Sequence, residues 1–153
     1  MSHLLSCWDV CTEGLERRIY LSEDLVALKK IVTRQKWNRQ PFSVDQKLLW
    51  GDKVIIVTDE TFQIIHATKN MFAMNGYTPD DVIGRTPKIF QGKRTEPLAK
   101  EKIRNAINNK KPFEAILTNY KKDGSIYKCH VEGYPVLDTQ SKLVNFIAFE
   151  NAV

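Results

Sequence analysis

Two hydrophobic periods divide the chain. From residue 22 to 37 the spacing is helical. Leu21, Leu25, Leu28 and Val32 share one face, with Val26 and Ile31 beside it, while Lys29, Lys30, Arg34 and Lys36 fill the rest. Ser22-Glu23-Asp24 offers a capping hydroxyl and two carboxylates where the helix dipole is positive. This pattern predicts an amphipathic helix from Ser22 to Trp37. Upstream, the four-residue spacings Leu4/Trp8 and Cys7/Cys11 predict an amphipathic turn or two. Pro41 closes off any continuation, and 38–50 reads as a connector with a short helical turn at Val44–Leu49.

Beyond residue 50 the period falls to two. Lys53–Thr58 and Phe62–Ala67 read as a hairpin around Asp59-Glu60-Thr61. A run of abbreviated helices follows. Thr68 or Asn70 opens the first, which ends at Gly76. Thr78-Pro79-Asp80-Asp81 caps the second, which Gly84 breaks, and Thr86-Pro87 starts a turn that Gly92 ends. Thr95-Glu96-Pro97 opens a longer helix with Leu98, Ala99, Ile103, Ala106 and Ile107 as its buried stripe, stopped by Pro112. Three strands close the chain, Phe113–Tyr120, Ser125–Leu137 and Lys142–Asn151, with Lys122-Asp123-Gly124 as a hairpin turn. In the second of these strands Lys128, His130 and Glu132 take one face, so Cys129 points inward. In the last strand alternation puts Val144, Phe146, Ala148 and Glu150 inward and Asn145, Ile147 and Phe149 outward.

This order predicts an α+β domain over residues 50–153, one five-stranded antiparallel sheet with the helices on one face. Residues 1–49 form a helical extension. Outward Ile147 and Phe149, with Ile116 and Tyr120, make an apolar patch that needs a cover. The amphipathic helix supplies one through Leu25, Leu28 and Val32, from its own chain or from a partner. The expected assembly is a homodimer built on that helix and the outer sheet face; the alternative is a monomer with the helix folded on its own sheet.

Charge and composition narrow the function. The 153 residues are 42% hydrophobic and 27% charged, an ordinary globular composition. The net charge of +5 is spread, +2 in residues 1–49 and +3 in 50–153, without the clustered stripe that a nucleic-acid surface needs. Cys7, Cys11 and Cys129 lack metal-ligand spacing, and their odd number without a signal peptide points to a reducing cytoplasm. No apolar run approaches the roughly 18 residues of a membrane span. Phosphate-binding Gly-rich loops, metal triads and nucleophile elbows are missing, so the residues support no enzyme and no metal site.

Gly76-Tyr77, the acidic pair, Val82-Ile83 and Gly84-Arg85 together resemble the signature of PAS sensor domains, over about Gly51 to Val153. Phe90-Gln91-Gly92, Ile103–Ile107 and Asn119-Tyr120 are closer to the LOV branch, the flavin-binding blue-light sensors. The LOV signature Gly-Arg-Asn-Cys-Arg-Phe-Leu-Gln stands here as Gly84-Arg85-Thr86-Pro87-Lys88-Ile89-Phe90-Gln91, with Pro87 in the place of the photoactive cysteine. The resemblance implies a ligand pocket between helices and sheet, lined by Thr86, Lys88, Gln91, Arg104, Asn119, Cys129 and Glu150. Gln91, Arg104 and Asn119 match flavin-holding residues of the branch. Thr86, Cys129 and Glu150 replace two Asn and a Gln, and Lys88 keeps a positive charge without the bidentate fork of Arg. Residues 95–111 contain no His, which the resemblance would require of a haem-binding relative.

From these departures follow the expectations for function. Adduct photochemistry has no thiol at Pro87. The first reading is a non-enzymatic PAS sensor or interaction domain without cofactor, acting through a homodimer or a downstream signalling partner. The alternative is a photosensor holding flavin mononucleotide (FMN) non-covalently. Glu150, an inward carboxylate, requires a partner or a raised pKa.

Overall fold

The computed structural model describes the backbone of residues 3–153 and the side chains from Thr12 onward. Its first helix, α1, spans His3–Arg34. A π-helical turn at Gln46–Trp50 leads to β1 (Val54–Asp59) and β2 (Ile64–Ala67). Short helices α2 (Met71–Asn75) and α3 (Pro79–Val82), a 3-10 turn at Pro87–Phe90 and the longer α4 (Pro97–Asn108) follow. The chain ends in β3 (Phe113–Tyr120), β4 (Ile126–Leu137) and β5 (Leu143–Ala152). All five strands join one antiparallel sheet in the order β2-β1-β5-β4-β3, the α+β arrangement expected.

Local chemistry explains most boundaries. Asp59 turns the β1–β2 hairpin: its Oδ1 accepts from the Thr61 N–H, the Thr61 hydroxyl and the Gln63 N–H. Phe62 sits in that turn at φ 70°, so β2 starts at Ile64 rather than at Phe62. Gly76 ends α2 at φ 77°, a left-handed conformation that a side chain resists. Asp81 returns to accept the Thr78 N–H at 2.9 Å, which fixes the start of α3.

Three expectations are corrected. The helix does not begin at Ser22, which lies exposed inside α1, and it stops before Trp37. The stretch upstream of Ser22 holds no Pro, so a hydroxyl that could cap a helix lets one pass through instead. Trp37 instead bridges to Asp138, and its indole N–H donates to Asn145 Oδ1 at 2.8 Å. Leu98 is 80% exposed; the half-buried face of α4 is carried by Ala99, Ile103, Ala106 and Ile107. Tyr120 joins no outer patch, because its hydroxyl accepts the Arg94 N–H at 3.0 Å. The predicted Cys7/Cys11 and Leu4/Trp8 pairs lie outside the described side chains.

The sheet carries a core on each face. On the outer face Ile55, Val57, Val136, Ile147 and Phe149 pack with Leu28 and Leu48, and Leu21, Leu25 and Ile31 join from α1. Ile116, toward the β3 edge, stays 55% exposed. On the inner face one cluster gathers Ile56, Ile64, Met71, Val82 and Phe90, and a second gathers Leu117, Cys129 and Val131 with Ile103 of α4. Burial of these side chains, at about 1.5–3 kcal/mol each, is the main term holding helices to sheet.

Candidate functional site

The inner face of β5 builds the site. Alternation sends Phe146, Ala148 and Glu150 toward the short helices, and Asn119 and Leu117 of β3 point the same way. Between them and the 3-10 turn lies a cavity of about 70 Å³. Phe62, Phe90, Phe113 and Phe146 line it, and Phe62 meets Phe146 edge-on at 5.6 Å. The Phe113 ring lies directly over Gly133, where a Cβ would have no room.

Glu150 dominates the electrostatics. It is 5% exposed and sits between this cavity and a wider groove of about 840 Å³ that separates α1 from α2. Burial raises its pKa from 4.5 to about 7, and the Cys129 thiol, donating to Oε2 at 3.7 Å, opposes this only weakly. Cys129 is in turn pushed far up by burial and by the Glu150 carboxylate, and remains a thiol. Beside this pair the Tyr127 hydroxyl lies among the Asn75 and Asn119 amides, and Asn75 Nδ2, Asn119 Oδ1 and that hydroxyl are buried without a hydrogen bond of good geometry. Burial likewise raises the Tyr127 phenol well above its usual range. Small shifts let Tyr127, Asn75 and Asn119 meet one another, and Asn119 and Glu150 also face the cavity, where water or a small polar guest can meet them.

The predicted pocket residues separate into two sets. Gln91, Asn119 and Glu150 share the cavity, and Cys129 touches Glu150 from behind. Thr86, Lys88 and Arg104 are exposed and line no part of it. Pro87 stands in the cavity wall. A flavin ring system does not fit these residues. Each water needs about 10–15 Å³ of such space, so the cavity holds about five, fewer atoms than the three fused rings carry. Gln91 and Asn119 keep their amides there, but Cys129 and Glu150 offer a thiol and an acid where the resemblance implies amides.

On the other face the cap residues are used within the chain. Leu28 is fully buried on Ile147 and Phe149, Leu25 is packed against the same cluster, and Val32 is half-buried. Phe149 also takes Phe42 edge-on at 5.1 Å. A second tie holds α1 to the β2–α2 corner: buried Asp24 accepts the Lys69 N–H at 2.8 Å, and His66 Nε2 lies 4.0 Å from its other oxygen. Burial raises the Asp24 pKa and lowers that of His66.

Sequence reasoning missed Asp24, read there as a helix-start charge, and Asn75, Tyr127 and Asn145. Asn145 faces outward among apolar neighbours, where it accepts from Trp37 and donates to the Thr58 carbonyl at 2.9 Å. An amide in an apolar stripe was the available signal. Glu96 was also missed as a tie. It accepts the Thr118 N–H at 2.7 Å and the Thr118 hydroxyl at 2.8 Å, and pairs with Lys128, so it closes the exposed edge of β3. Lys128 is the first cause of its pKa falling to about 2. Among the described residues there is no metal-binding cluster and no helix long and apolar enough to cross a membrane.

Comparison with known proteins fits this geometry. A stretch of 101 residues is 33% identical to phototropin-2 of Oryza sativa subsp. japonica, covering 64% of this chain and 11% of that protein. Another relative is blue-light-activated histidine kinase 2 of Erythrobacter litoralis, 26% identical over 76% of this chain and 32% of the kinase. The chain thus spans a minor part of these relatives. The dark structure of the blue-light photoreceptor Aureochrome1 LOV superposes with a TM-score of 0.67 at 26% identity, over 76% of this chain and 86% of that one. The family model described as PAS domain matches residues 51–151, the whole sheet with its short helices, and the chain belongs to the PAS domain family, with a LOV-like fold.

Proposed function

We propose that this chain is a non-enzymatic, cytoplasmic sensor and interaction module that works without cysteinyl-flavin chemistry. The observation that carries the reading is the filled pocket: Pro87 in the wall, four phenylalanines around about 70 Å³, and a buried acid where the resemblance implies an amide. The guest suited to this space is water or a small polar molecule that donates to Asn119 Oδ1 and meets Glu150.

Glu150 sets the response. With its pKa near 7, the carboxyl group changes protonation around neutral pH, and guest binding shifts that equilibrium. Its neighbour on β5, Phe149, faces the opposite side of the sheet and packs in the cluster that seats Leu28 of α1. A change at Glu150 therefore reaches α1 through one strand. Output goes to a downstream signalling protein through α1.

An absorption spectrum of the purified protein, with mass spectrometry of whatever denaturation releases, tests the reading. Absorption from aromatic side chains alone is expected. A structured band near about 450 nm with released FMN would replace this reading by the non-covalent flavin sensor.

A further inference from the structure

The wide groove between α1 and α2 has a charge opposite to that of the chain as a whole. Five carboxylates line it, Glu13, Glu16, Asp24, Asp52 and Glu150, against two cations, Arg17 and Lys69. The whole chain carries a net charge of +5. Both cations are already engaged: Arg17 meets Asp52 at 2.6 Å, and Lys69 pairs with Glu23. Among the described residues Glu13, Glu16 and Glu150 have no cationic partner. Asp24 and Glu150 are both buried, but they differ in how they are met. Asp24 accepts the Lys69 N–H at 2.8 Å. Glu150 has one hydrogen bond, from the Cys129 thiol to Oε2, which leaves Oε1 without a donor. A carboxylate buried in that state calls for a cation.

The rest of the lining is apolar and aromatic. Phe72 of α2 is 63% exposed and Tyr20 of α1 is 48% exposed, and Leu21, Val54 and Met74 line the groove with them. Lys69 Nζ lies 5.3 Å over the Tyr20 ring, so this wall already accepts a cation. We propose that the groove binds a small organic amine, with its ammonium group at Glu150 and its apolar body against Phe72 and Tyr20. The volume, about 840 Å³, is that of a small-molecule site. A primary ammonium is slim enough to reach so buried a carboxylate, and it brings three donors. A lysine-rich protein surface would meet only the exposed Glu13 and Glu16.

The proposal rests on the sensor reading only for what binding does to α1; the binding itself is measured without it. Calorimetric titration of the purified chain with 2-phenylethylamine at pH 8 is expected to saturate at one per chain, with Kd below about 1 mM. 2-Phenylethanol, the same body without the charge, should bind about tenfold more weakly or worse. Phe72→Ala, at an exposed position, should weaken the amine about fivefold. Because the amine needs an ionised Glu150, whose pKa is about 7, its affinity should fall about thirtyfold from pH 8 to about pH 5.5. Glu150→Gln should weaken binding about tenfold at pH 8 and flatten that profile. Asp24, Asp52, Glu13, Glu16, Arg17 and Lys69, with His66 beside Asp24, are the same in both proteins, so the difference isolates Glu150. No saturation by about 5 mM amine would overturn the proposal. So would equal affinity for the alcohol, or binding that Phe72→Ala and Glu150→Gln both leave unchanged. The sensor reading fails on a flavin band and this one on the amine titration, so the two fail separately.

Discussion

Replacing Glu150 by Gln should remove a pH dependence of stability whose size the burial sets. Folding raises this carboxyl from 4.5 to about 7, a span of two and a half pH units. In that window the folded chain keeps a proton that the unfolded chain has lost. The unfolding free energy therefore falls as pH rises from about 4.5 through about 7, and is flat above. At about 1.4 kcal/mol per pH unit the loss is about 3 kcal/mol. For a chain of this size that corresponds to about 6–12 °C in melting temperature. The assay is urea unfolding of wild type and Glu150→Gln at pH 4.5, 6 and 8. Asp24, also raised by burial, and His66, lowered by it, titrate in both proteins and cancel in the difference. The variant should gain about 3 kcal/mol on wild type between pH 4.5 and 8. Parallel profiles would mean that Glu150 is ionised in a hydrated site, and would refute its role as the buried sensor group.

Further outcomes follow from the packing. Leu28→Ala should cost about 3 kcal/mol in denaturant unfolding, as expected for a buried leucine in a cluster that cannot collapse. A loss below about 1 kcal/mol would mean that α1 is not held by this contact. Gly133→Ala should destabilise by about 1–3 kcal/mol because the new Cβ meets the Phe113 ring, and Phe113→Leu should restore part of that loss. Glu96→Ala should speed amide exchange at Thr118 by about tenfold at neutral pH. Because folding lowers the Glu96 pKa from 4.5 to about 2, wild type should lose the same protection as pH falls through that range.

What the sequence revealed was mostly local chemistry. The Thr78–Asp81 cap, the Gly76 stop and the alternation on β5 from Asn145 to Glu150 are decided within a few residues, so the short helices and those strand faces could be read directly. Val144, expected inward, instead packs against the outer cluster beside the bulge at Val136–Leu137. Alternation also placed Glu150 inward, and burial then explains its raised pKa. The misreadings are tertiary. Ser22 has the chemistry of a cap, but the helical stretch before it continues, and only the fold shows that Asp24 is spent on Lys69. Leu98 satisfies the helical period yet is left exposed on α4. Thr86, Lys88 and Arg104 match a motif by spacing, but their side chains face solvent while the phenylalanines close the pocket. Volume is a property of side chains from five or six elements at once, and no periodicity reports it.

Direct titration of FMN with the purified chain tests that small pocket. Flavin fluorescence should stay unchanged, and no flavin should remain with the protein after gel filtration. Saturable quenching at one FMN per chain would contradict the account, because the phenylalanine-lined space would then have opened to admit three fused rings.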